Sequence, residues 1–111
     1  MNVSKFRLHT TELEKLTQYL RSALSFDYKN HSEDMNILAS ERYYLRNNST
    51  QLNMVVVKRN NSMIWIDIIA TAGGAGIFNI NLWSEKGYIK KVRKVLDQYA
   101  ENQELVLEEL Q

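Results

Sequence analysis

Met63-Ile-Trp-Ile-Asp-Ile-Ile-Ala-Thr-Ala-Gly-Gly-Ala-Gly-Ile-Phe-Asn-Ile-Asn-Leu-Trp83 is the stretch on which the fold turns. Its spacing predicts two long strands folded back on a glycine-rich turn. Ile64, Ile66, Ile68 and Ala70 fall on one side of the first strand, because side chains alternate with a period of two. Phe78, Ile80 and Leu82 do the same on the second. The opposite face carries Met63, Trp65, Asp67 and Ile69, then Ile77, Asn79, Asn81 and Trp83. A strand with one wet face alternates more cleanly than this.

A loop centred on Gly74 keeps paired positions at the same parity. That register sets Trp65 opposite Trp83, Asp67 opposite Asn81 and Ile69 opposite Asn79. Glycine supplies the positive φ such a turn needs. Each indole can bury about 150–250 Å². With Ile69, Ile77 and Met63 the face approaches the roughly 300–600 Å² of the largest apolar patch on an ordinary monomer. The expectation is that a second subunit, the chain's own C-terminal tail or a ligand covers it.

The remaining composition sets bounds. A chain of 111 residues is one domain, 1–111, with 101–111 as a candidate docking tail. Hydrophobic content of 44% and charged content of 24% are those of a globular protein. A net charge of +1 gives no reason to invoke nucleic acid or an acidic membrane. Without cysteine there is no disulfide and no thiolate metal site. The start, Met1 to Arg7, has no apolar signal core. No apolar run approaches the roughly 20 residues of a spanning helix. A cytoplasmic location is the expectation.

Upstream, Val3 to His9 alternates, with Phe6 and Leu8 inward and Lys5, Arg7 and His9 outward, as an edge strand would. Thr11 and Glu14 have capping-box spacing. Leu13, Leu16, Leu20, Ala23 and Leu24 then follow at helical spacing, giving a helix to about Ser25. Residues 26–36 read as a surface loop. Ile37 to Arg46 and Leu52 to Lys58 read as strands, with Asn47-Asn48-Ser49 and Asn60-Asn61 as turns. Downstream, Ser84 is placed as the N-cap of a last helix with Glu85 in its first turn. Ile89, Val92, Leu96 and Tyr99 form its apolar stripe, with Val95 beside it. The acidic end either prolongs that helix or docks as a strand. The order is β-α-β-β-β-β-α, an α+β fold with an antiparallel sheet of about five strands and both helices on one face.

The segment Gly73-Gly74-Ala75-Gly76-Ile77-Phe78-Asn79-Ile80-Asn81-Leu82-Trp83-Ser84-Glu85 resembles one from a small bacterial family known only as a domain of unknown function. Its members carry a Gly-Gly turn, an aromatic-rich strand ending near Ile-Asn-x-Trp, and Gly-Glu opening a helix. Ile80-Asn81, Trp83 and Glu85 match; Ser84 replaces the usual glycine, and Gly76 is a further departure. The resemblance implies a small bacterial protein of about this length with no established reaction.

Candidate chemistry is sparse. Gly73-Gly74-Ala75-Gly76 lacks the lysine and following helix of a phosphate loop. His9 and His31 have no companion at metal-ligand spacing, so neither metal nor cofactor is expected. Asp67, mid-strand between Trp65 and Ile69, reads as hydrogen-bonded to Asn81, or else as a ligand anchor. The Lys86–Lys94 cluster lacks the interleaved aromatics of single-strand binders and reads as a solvated face, or as a partner for the acidic tail of another copy.

Three functions are in view. The first is a non-catalytic, self-associating protein, a dimer in the simplest case, joined through the face of Met63, Trp65, Asp67, Ile69, Ile77, Asn79, Asn81 and Trp83. The second is a small-molecule binding domain, with a pocket between sheet and helices or over the tryptophans. It calls for a cavity of a few hundred Å³ with convergent polar groups. An enzyme ranks last, because no nucleophile–base pair or metal set is recognisable.

Overall fold

Period-two alternation in the strands and a 3.6-residue period in the helices combine into one sheet with a helical layer on one side. The structure, a computed structural model, describes residues 1–44, 49–73 and 80–110, with side chains for 1–42, 50–71 and 85–110. The elements are β1 (Asn2–Leu8), α1 (Leu13–Ala23), β2 (Tyr28–His31), β3 (Met35–Tyr44), β4 (Ser49–Asn60), β5 (Met63–Gly73), α2 (Ile80–Gln103) and β6 (Leu107–Leu110). The sheet is antiparallel, with six strands in the order β2-β3-β4-β5-β1-β6. The fold is α+β as the pattern predicts, with six strands in place of about five.

One face of the sheet is the core. Ile64, Ile66, Ile68 and Ala70 are fully buried. Register puts Phe6 and Val57 on either side of Ile66, and Val55 beside Ile68. Leu13, Leu16 and Leu20 of α1 and Val92, Leu96 and Tyr99 of α2 close over them. The two helices touch each other, and α2 runs across β4, β5 and β1. Tyr19 and Tyr99 seal the helix–helix contact, with ring centroids 5.1 Å apart.

The central hairpin is not the one the sequence suggests. Residues 80–83 begin α2, and β5 pairs with β4 and β1. A strand has two hydrogen-bonding edges. Both edges of β5 are taken along its length beside β1 and β4, and residues 80–83 are helical. The opposite numbers of Trp65 are Arg7 and Lys58, those of Asp67 are Lys5 and Val56, and those of Ile69 are Val3 and Met54. The turn placed at Gly74 lies outside the described residues. Ser84 is four residues inside α2 and not its cap.

The order β-α-β-β-β-β-α holds through α2, because β2 stands in for the strand expected over residues 77–83, and a further strand, β6, follows α2. Residues 28–31, read as loop, form edge strand β2, with hydrogen bonds to β3 and no buried side chain. β1 is interior, because the tail docks beside it as β6. The helix α2 stops at Gln103, and the acidic end turns back after it and docks as strand β6, the second of the two expected courses. Thr11 is not a cap either: α1 starts after Glu12, which has no side-chain capping bond.

The β4–β5 turn follows expectation. Asn60 pairs with Met63 across a two-residue loop, and Asn61 and Ser62 have φ of 54° and 63°. Two consecutive left-handed residues match the twist of flanking strands.

Candidate functional site

Two regions stand apart from the packed core. The first is the outer sheet face, where the sequence places its candidate residues. Rows of side chains follow from the register. One row runs Tyr28, Ala39, Met54, Ile69, Val3. The next runs Asn30, Ile37, Val56, Asp67, Lys5, Leu110. Leu52 extends the apolar area along β4. Tyr28, Val3, Leu52 and Met35 are exposed, at 53%, 42%, 41% and 40%. Between them Ile37, Met54, Val56, Trp65 and Ile69 are half-buried by their neighbours in the sheet. Both helices pack on the opposite face.

Of the predicted site, Met63, Trp65, Asp67 and Ile69 occupy this face on β5. Asn81 and Trp83 do not join them there as strand residues: their backbone belongs to the first turn of α2. Ile77 and Asn79 lie outside the described residues. Asp67 has a partner on β1, and the side chain of Asn81 lies outside the described residues. The Lys5 ammonium donates to Asp67 Oδ1 at 3.2 Å. Trp65 Nε1 donates to the Asn60 carbonyl at 3.2 Å.

At one border of this face a polar cluster ties β6 to β1. Arg7 donates to Glu108 Oε2 through Nε, at 3.1 Å, and through Nη2. His9 Nε2 lies 2.6 Å from the other oxygen, Oε1. The Arg7 guanidinium and then His9 hold the Glu108 carboxyl below the usual carboxylate range.

The second region is on the covered side, and sequence reading missed it. The core-facing positions of β4 run Val57, Val55, Asn53, Gln51, and those of β3 run Asn36, Leu38, Ser40, Arg42. Beyond Leu38 and Val55 the inner face therefore changes from aliphatic to polar. Gln51 and Asn53 remain 1% and 3% exposed, with Gln51 Nε2 donating to Asn53 Oδ1 at 2.5 Å. A cavity of about 540 Å³ opens here. The end of α1 at Leu24, Gly87, Tyr88 and Lys91 of α2, and the polar ends of β3 and β4 enclose it. Burial pushes the Tyr88 phenol up to about 12, with Ser40 pulling slightly the other way. Two amides in phase with Val55 and Val57 were the signal available in the sequence.

Among the described residues no group of three or more His, Cys, Asp or Glu side chains is placed to hold a metal ion. No helix among them is long and apolar enough to cross a membrane.

Architecture and site define an antiparallel α+β domain with one helix-covered face, one open apolar face and a polar cavity under the second helix. The chain belongs to the Family of unknown function (DUF6054), whose model matches residues 6–100. No curated protein and no solved structure matches it.

Proposed function

We propose that this is a non-catalytic, self-associating cytoplasmic protein that pairs two copies through its open sheet face. The observation that carries the reading is β4, which turns Leu52, Met54 and Val56 outward in a row, flanked by Ile37 and Ile69. An antiparallel sheet with one solvated face alternates apolar with polar, and this strand does not. A second copy related by a two-fold axis supplies a self-complementary apolar surface. The Lys5–Asp67 pair and Lys58 interrupt the apolar area, and such charges fix register more than affinity.

The test is sedimentation at micromolar concentration. The wild type is expected to run as a dimer, and Met54→Lys as a folded monomer. A wild type that remains monomeric overturns the proposal. A second reading, a small-molecule binding domain, is favoured by the cavity beside Tyr88.

A further inference from the structure

We infer that the cavity between α1, α2 and the polar ends of β3 and β4 binds a small organic anion, a carboxylate or a phosphate monoester. Its charge falls between Arg42 and Lys91, and its neutral polar body against Asn53, Ser40 and Tyr88. The inference rests on the small-molecule reading and adds the class of ligand.

Size comes first. Small-molecule sites span roughly 300–1,000 Å³, and this cavity has about 540 Å³. Chemistry comes second. A covered sheet face is ordinarily apolar, so buried Gln51 and Asn53 are the informative residues there. They present amide groups where Val55 and Val57, in the same column, present methyls. The Tyr88 hydroxyl is buried on the facing wall.

Charge comes third. Arg42 from β3 and Lys91 from α2 line the cavity from opposite walls. Arg42 and Gln51 each have a partner in the fold. Lys91 belongs to no ion pair among the described residues. Two carboxylates, Asp27 and Glu41, border the cavity as well. Asp27 accepts the Glu41 backbone N–H at 2.9 Å, and Glu41 is in register with Leu52 of the outer face. A guanidinium and an ammonium bordering one cavity favour an anion there.

Gly87 adds room. It sits inside α2, where glycine is unfavourable, and a Cβ built on it meets nothing within 4 Å. Gly87 lines the cavity, so a leucine there is expected to take up part of it.

The experiment is thermal denaturation of the full chain with inorganic phosphate, glucose 6-phosphate, succinate or glucose, against sodium chloride at matched ionic strength. At least one anion is expected to raise Tm, and glucose 6-phosphate against succinate separates phosphate from carboxylate. Lys91→Gln should weaken that binding about ten- to hundredfold, the usual loss for a charged hydrogen bond. Gly87→Leu should abolish it. Lys90→Gln, on the neighbouring face of α2, should leave it intact and controls for general attraction to a basic helix. The Lys91 and Lys90 variants are solvent-exposed, so they keep the test readable should Gly87→Leu fail to fold. Equal shifts from glucose and glucose 6-phosphate overturn the anionic class and leave the small-molecule reading standing. Silence from all four probes overturns both. A shift that survives Lys91→Gln, or is lost equally in Lys90→Gln, overturns the assignment to this cavity.

Discussion

The guanidinium of Arg7 lies 5.3 Å from the ring centroid of Trp65, on the strand next to it. The same group also donates to Glu108 of β6. One side chain thus joins three strands, β5, β1 and β6, at a single border of the open face. Trp65 is held there by its own sheet.

Arg7→Ala should therefore loosen the tail before it loosens the core. A cation–π contact at a partly exposed site is worth about 0.5–1 kcal/mol, and a surface ion pair about 0–1 kcal/mol. The expected loss is about 1 kcal/mol. Hydrogen exchange should accelerate at residues 107–110 and stay slow at Ile66. Uniform acceleration across the sheet would show that the border is part of the core's cooperative unit.

Acid should release β6 through the same carboxylate. Arg7, then His9, lower the Glu108 pKa from its ordinary 4.5. A depressed folded-state pKa stabilises fully above the ordinary value and loses that contribution as pH falls through the folded one. Docking of β6, followed by its amide resonances, should weaken as pH falls below about 4.5. Glu108→Gln should remove that acid transition. A tail whose signals do not change down to the global acid unfolding would argue against the linkage.

Ser62 is held at φ 63° in the β4–β5 turn. A left-handed conformation costs a non-glycine residue roughly 1–2 kcal/mol, and Asn-Gly is the preferred pair for this turn. Ser62→Gly should stabilise the protein by about 1 kcal/mol in urea denaturation, with an unchanged m-value. A loss of stability would mean that the serine side chain makes a contact worth more than the strain.

Two isoleucines of β5 give opposite expectations. Ile66 is fully buried, so Ile66→Ala should cost about 2–5 kcal/mol. Ile69, on the other face and half-buried, should cost the single chain about 1 kcal/mol as Ile69→Ala. Under the proposed pairing of two copies, its larger effect should be on the apparent dissociation constant of the dimer. Equal losses of chain stability at the two positions would place Ile69 in a core of its own.

Much of this fold is legible in the residue pattern. The alternation of Ile64, Ile66, Ile68 and Ala70 identifies the buried face of β5, since each of those side chains is fully enclosed. The spacing of Val92, Leu96 and Tyr99 identifies the buried stripe of α2. The apolar run that includes Ile80 and Leu82 is ambiguous in sequence, because a short stretch of these residue types fits a strand period and a helix start alike. Tyr28 to His31 carried no apolar signal, since a strand at the sheet edge needs only backbone partners. The cavity could not be assembled from a linear reading. Ser40 and Arg42 meet Gln51 and Asn53 only through the β3–β4 register, and meet Tyr88 and Lys91 only because α2 crosses that end of the sheet.

What the chain determined by itself is which residues must leave water: period and hydrophobicity are local properties, readable over a dozen positions. What only the tertiary structure decided is who pairs with whom. β1 and β4 occupy the two edges of β5, and once both edges are hydrogen-bonded no local preference can add a third neighbour. In that arrangement residues 80–83 are helix, the acidic tail takes the free edge of β1, and Trp65 lies beside Arg7.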